Sequence, residues 1–133
     1  MADREEEIIV RLRRSYEAFS RGDFDAAIEI THPEVEFVLP GSQGSLRGAE
    51  AVRAWMEPDA FEAQEVEPLD FRIKGNKVLV RLHTWGRGAG SGIELELDMW
   101  VVWTLNDDGL VTRVENYLDH QKAEALEAAG LSE

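Results

Sequence analysis

Residues 93 to 105, IELELDMWVVWTL, constrain the fold more than any other stretch of this chain. Apolar residues alternate with acids from Ile93 to Asp98, a two-residue period that a β-strand presents as one apolar and one polar face. Fully extended, the segment would run ~44 Å at ~3.4 Å per residue. A small domain cannot hold such a strand flat, so strong curvature or a bulge is expected. The run Trp100-Val101-Val102-Trp103 breaks the simple alternation and is the expected place for a bulge. Alternation puts Ile93, Leu95, Leu97, Met99, Val101 and Trp103 on one wholly apolar face, expected to line the concavity of a curved sheet. Glu94, Glu96, Asp98, Trp100 and Val102 take the other face, acidic at one end and apolar at the other. That second face suits a surface half solvated and half used in dimer packing.

The segment just before, GRGAGSG at 86–92, has the glycine density of a phosphate-binding loop. Such a loop needs its glycines between a strand and a helix, so that backbone N–H groups and the helix N-terminus meet the anion. Here the glycines lead into a strand, and no Gly-Lys-Ser/Thr follows. The stretch therefore reads as the turn of a hairpin, and nucleotide binding has no support in it.

The remaining segments build around that hairpin. Asp3 and Glu6 resemble a helix cap, and Ile8, Ile9, Leu12, Tyr16 and Phe19 recur at helical spacing until Gly22. Asp23 can cap a short helix carrying Phe24, Ala27 and Ile28, expected to stop near Thr31 because Pro33 disfavours helical geometry at His32. Val35, Phe37 and Leu39 mark a short strand, and residues 40–45 form a turn cluster. A third helix from about Ala49 carries Val52, Trp55 and Met56 and closes at Pro58. Residues 57–70 hold six acids and no base, which reads as a solvated connection. Leu69, Phe71 and Ile73 alternate as a strand, Lys77 to Trp85 reads as another, and Asn106-Asp107-Asp108-Gly109 turns the long strand into a last one at 110–118. Asp119 can cap a tail helix along Ala123, Leu126 and Ala129, with Gly130 after its end. This order predicts an α+β fold in one domain spanning residues 1–133.

Charge and composition narrow the partners. Lys+Arg 14 against Asp+Glu 27 gives a net charge of −13, which should repel nucleic acid and anionic membranes. No apolar run reaches the length of a membrane span, so a cytoplasmic protein without membrane partners is expected. With no cysteine, thiolate nucleophiles and Cys-ligated metals are excluded. His32, His83 and His120 match no compact ligand spacing, so no metal and no cofactor is expected.

His83, mid-strand among apolar residues near Trp85, is the best single acid/base candidate; a structurally satisfied histidine is the competing reading. Among the carboxylates, Asp98, Glu115 and Asp119 are expected nearest the interior, with an N-cap role sufficient for Asp119. Glu115 and Tyr117 share a face of the last strand. If that face lines the pocket, a carboxylate and a phenol converge there; if it is the outer face, they are a solvated pair. Spacing leaves both open. The helices supply Tyr16, Phe19 and Trp55 to an aromatic pocket lining, and the strands supply Phe37, Leu97, Met99, Val101 and Trp103.

Four stretches, SYEAFSRGDFDAAIEITHPEVEFVLPG, LRGAEAVRAWM, GRGAGSGIELE and GLVTRVENYLDHQKAEALEAAGL, taken in order, resemble the SnoaL-like branch of the nuclear-transport-factor-2-like superfamily. The resemblance implies a cone: a curved, mostly antiparallel sheet wrapped around a long N-terminal helix, with two further short helices, a C-terminal tail helix and often a homodimer. It includes polyketide cyclases, ketosteroid isomerases, epoxide hydrolases and non-enzymatic binding domains, so fold alone does not give function. The acids of these enzymes do not transfer. Val38-Leu39 stands where an acid precedes the Pro-Gly turn, Val101 or Val102 where one sits on the long strand, and Ser15 where isomerases carry a first-helix tyrosine. Two functions follow as expectations. One is a small hydrophobic or polycyclic ligand bound in the cone, with isomerase, cyclase or hydratase chemistry by His83 as base and Tyr117 as donor beside Glu115. The other is a non-catalytic ligand-binding or dimeric interaction module.

Overall fold

The computed structural model describes residues 4–41, 43–57 and 61–132. Helix α1 (Arg4–Ser20) is followed by α2 (Phe24–Ala27), β1 (Thr31–Val38), β2 (Ser45–Arg47), α3 (Ala49–Met56), β3 (Phe61–Lys74), β4 (Lys77–Gly88), β5 (Glu94–Leu105), β6 (Val111–Leu118), a 3-10 turn (Asp119–Gln121) and α4 (Lys122–Ala128). The six strands form one open sheet in the order β2-β1-β6-β5-β4-β3. Among the described residues only β1 and β6 run parallel; every other neighbouring pair is antiparallel. The α+β architecture expected from the sequence is thus present, with its long first helix, two short helices and tail helix.

One helix covers most of the sheet's inner face. Ile8, Leu12 and Tyr16 of α1 share a core with Val35 and Phe37 on β1, Val80 and Leu82 on β4, and Val101 and Trp103 on β5; Phe71 of β3 packs against it. Six strands at ~4.8 Å spacing would span ~24 Å if flat, whereas a helix is about 10 Å across. The sheet must therefore curl around α1 to bring both sides into one core.

The long strand is not bulged where its pattern breaks. β5 pairs with β4 in unbroken register from Glu94 opposite Arg87 to Thr104 opposite Lys77. The irregularity lies at Thr104/Leu105, beside the hairpin turn to β6. The run from Trp100 to Trp103 is apolar at every position because both faces are covered there. Val101 and Trp103 enter the inner core, while Trp100 and Val102 join Leu79 beneath Ala125, Leu126 and Ala129 of the tail helix.

Other boundaries differ from expectation for definable reasons. Helix α2 stops at Ala27, and β1 begins at Thr31 because that residue pairs with Val111 of β6. Pro33, which lacks an N–H, falls inside the irregular stretch of that pairing. The acidic segment is strand from Phe61 onward, paired with β4 along its length; its acids Glu65 and Glu67 are exposed. Residues 58–60, within the expected connection, lie outside the described residues, as does Asp3, the expected first cap. Strand β2 takes Ser45 out of the expected turn. Asp23 caps α2, its Oδ1 accepting from the Ala26 N–H at 3.2 Å. Asp119 does not cap; its carboxylate pairs with Arg81 at 2.6 Å. Gly130 takes φ +74° after the tail helix, and the Leu131 N–H returns to the Leu126 carbonyl at 2.8 Å.

Candidate functional site

Strand registers sort the chemistry by face. Positions facing α1 from β4, β5 and β6 include Leu82 and Thr84, Leu97 through Trp103 by twos, and Val114, Asn116 and Leu118. No charged side chain of these three strands faces that way. Lys77, Arg81, His83 and Arg87 of β4, Glu94, Glu96 and Asp98 of β5, and Arg113 and Glu115 of β6 all point to the outer face. The inner face is thus apolar with isolated hydrogen-bonding groups.

Its deep part is filled. The Trp103 indole N–H donates to the Tyr16 hydroxyl at 2.8 Å, and the rings meet edge-on with centroids 5.6 Å apart. Burial raises the Tyr16 pKa well above the usual phenol range, against a smaller lowering by the Trp103 bond, so the phenol stays neutral. Toward the β4–β5 hairpin the same face opens. Val101 is buried, Met99 half-buried, Leu97 is 46% exposed and Leu95 59%. On β6 the matching positions are the half-buried Asn116 and Leu118, with Gly41 of the Pro40-Gly41 turn beside Leu118. Leu97, Met99, Val101 and Trp103 therefore share the face expected of them, grading from exposed to buried. Phe37 packs against Trp55 with the rings tilted and centroids 5.0 Å apart, and Trp55 is 48% exposed. Phe19 pairs with Phe24 and lines a separate groove of about 330 Å³ at the end of α1.

The three acid/base candidates are not brought together. His83 sits on the outer face with Nδ1 2.6 Å from Asp98 Oδ1 and Nε2 3.3 Å from Glu96 Oε1. The hydrogen bond that its protonated ring donates to Asp98, then that to Glu96, raises its pKa above the ordinary histidine value. Arg81 stacks over Trp100 at 4.4 Å and ties Asp98 to Asp119 on the same face. His83 and Trp85 border a groove of about 480 Å³ with Ser20, Arg21, Glu65 and Val66. Glu115 and Tyr117 also face outward, two strands away. The Tyr117 hydroxyl donates to Glu115 Oε2 at 2.7 Å, and Arg113 pairs with both Glu115 and Glu36. They are not a solvated pair, since the Glu115 side chain is only 12% exposed. Burial, then the Glu115 bond and charge, raises the Tyr117 pKa. Asp98, Glu115 and Asp119, expected nearest the interior, lie on the outer side instead.

Asn116 is the site residue that sequence reading passed over. Its Nδ2 donates to the Val38 carbonyl at 2.8 Å across the parallel β1–β6 pair. Its signal was available only indirectly: with Val114 facing inward, alternation puts the next inward position at 116.

Residues 12–114 match the profile of the SnoaL-like domain. The chain belongs to the SnoaL-like domain family. No curated protein matches it. Solved structures with the same fold include TerC co-crystallised with polyporic acid, at 23% identity and TM-score 0.73, covering 92% of this chain and 96% of that one. SalBIII, an epoxide hydrolase/cyclase-like enzyme in pyran ring formation of salinomycin, superimposes with TM-score 0.78 at 17% identity over 86% and 92%. Rv0760c from Mycobacterium tuberculosis, in complex with estradiol-17beta-hemisuccinate, gives TM-score 0.73 at 17% identity over 84% and 93%.

Proposed function

We propose that this SnoaL-like chain acts as one domain that binds a small hydrophobic molecule on the inner face of its sheet, from Leu97 and Met99 to Leu118. The carrying observation is the gradient along that face, where the apolar row of β5 continues from the packed Tyr16–Trp103 floor through Val101 and Met99 to the exposed Leu97. Burying such a surface is favourable at roughly 25 cal/mol per Å². The ligand-bound relatives TerC and Rv0760c support a ligand of this class. Binding without acid/base chemistry is the better reading, because no charged side chain of β4–β6 faces the site.

Thermal unfolding with a panel of uncharged ring compounds tests this. A ligand at a hundredfold excess over its Kd adds about 2.7 kcal/mol and raises Tm measurably. Met99→Lys, which puts a charge among apolar neighbours, is expected to abolish the shift while leaving the circular dichroism intact. A shift that survives in Met99→Lys, or no shift with any compound, overturns the reading.

A catalytic reading rests on the His83–Asp98 pair beside the larger groove, with Trp85 as a wall. It makes His83 an acid/base group of a cofactor-independent isomerase, cyclase or hydrolase type, with Tyr117 and Glu115 too far along the sheet to assist. Turnover abolished in His83→Asn and kept in Met99→Lys would select this reading over the first. The homodimer and the cytoplasmic location belong to the same proposal. Exposed Ile93 and Leu95 on the hairpin supply an uncharged contact for a second copy, and sedimentation of Leu95→Glu against the native chain tests it.

A further inference from the structure

Asn116 is the inward polar group of β6, at the boundary between the packed floor and the open end. Neighbouring Val114 is buried, Val101 lies directly across on β5, and Leu118 follows toward the opening. Its amide orientation is fixed by chemistry. The Val38 carbonyl can only accept, so the NH2 group must turn toward it, as the 2.8 Å contact shows. That leaves Oδ1, a pure acceptor, turned away from the strand pair. Among the described residues Oδ1 has no hydrogen-bond partner, yet it is not among their sealed, unpartnered side-chain atoms, of which Arg81 Nη1 is the one found. It is therefore open to whatever occupies the inner face.

An acceptor on a face to which β4, β5 and β6 bring no cation sets a selectivity. A neutral hydroxyl or N–H on an apolar ligand gains a hydrogen bond at Oδ1. A carboxylate brings its own lone pairs against it and would be desolvated on a face where β4, β5 and β6 place no positive charge. We infer that the inner site selects neutral, donor-bearing ring molecules such as alcohols and phenols over their apolar and anionic counterparts, with Asn116 as the specificity-determining residue. This rests on the binding reading above and narrows it to a ligand class.

Three probes of one ring size separate the possibilities: 2-naphthol, 2-methylnaphthalene and 2-naphthoate, titrated by calorimetry at pH 7. The native chain is expected to bind 2-naphthol about 5- to 10-fold more tightly than 2-methylnaphthalene, as one net hydrogen bond gives, and 2-naphthoate more weakly than either. Asn116→Leu should erase the preference for 2-naphthol and keep the affinity for 2-methylnaphthalene. Equal affinities for 2-naphthol and 2-methylnaphthalene in the native chain, or tighter binding of 2-naphthoate, overturn the inference without needing the variant to fold. A 2-naphthol preference that persists in folded Asn116→Leu overturns the assignment to this residue. Failure of all three probes to bind removes the binding reading itself.

Discussion

The Tyr16–Trp103 bond and the His83–Asp98 bond show how differently two side-chain contacts of similar length behave. The first is sealed in the core, so Tyr16→Phe leaves the Trp103 indole N–H buried without an acceptor. That is expected to lower stability by about 1–3 kcal/mol in urea unfolding; an unchanged midpoint would mean that the indole finds another partner. The second lies on an exposed row, with Asp98 and Glu96 in contact, Glu67 opposite on β3 and Arg81 two residues away on the same face. His83 has a raised folded pKa, so its contribution is complete below the unfolded value of about 6.5 and disappears as pH rises through the higher folded value. The Tm gap between the native chain and His83→Asn should therefore close on going from pH 6 to pH 9. A gap that widens with pH would place His83 in a neutral, not a cationic, role. Neither partner was readable in advance. That Asp98 stands opposite His83 depends on the hairpin register, and residues 86–92 do not declare how many positions the turn consumes.

Elements were more legible than their faces. The period of α1, the hairpin at 86–92 and the turn at 106–109 follow from local chemistry, and the structure places each accordingly. The WVVW run was readable as apolar but not as a strand covered on both sides, because the tail helix that covers Trp100 and Val102 lies some twenty residues later in the chain (~20, well beyond local pattern windows). The face of Glu115 and Tyr117 was open for the same reason: it is fixed by pairing with β5, not by their own spacing. The long acidic strand β3 was missed where its charges overrode the alternation, although Val66, Phe71 and Ile73 pack against the inner core. If α4 is part of the outer core, Leu126→Ala should cost about 2–5 kcal/mol, as for a buried leucine. Leu97→Ala on the open inner face should stay within about 0.5 kcal/mol. Comparable losses in chemical denaturation would contradict the division of the sheet into covered and open ends.

At the scale of the whole molecule, the sheet separates apolar recognition from charge. Its inner face joins α1 through a core whose only polar contact at depth, among the described residues of that cluster, is the Tyr16–Trp103 pair. Its outer face carries the ion pairs of β4, β5 and β6 and the tail helix. Family resemblance and structure agree on the fold, while Val38, Leu39, Val101 and Val102 stand where the resemblance led acids to be expected. The most direct measurement of the binding account is a methyl-resolved NMR spectrum with 2-naphthol at saturation. Intermolecular NOEs to the methyls of Leu97, Met99, Val101 and Leu118 are the expected result. NOEs confined to the Trp85 and His83 rings on the outer groove would contradict it.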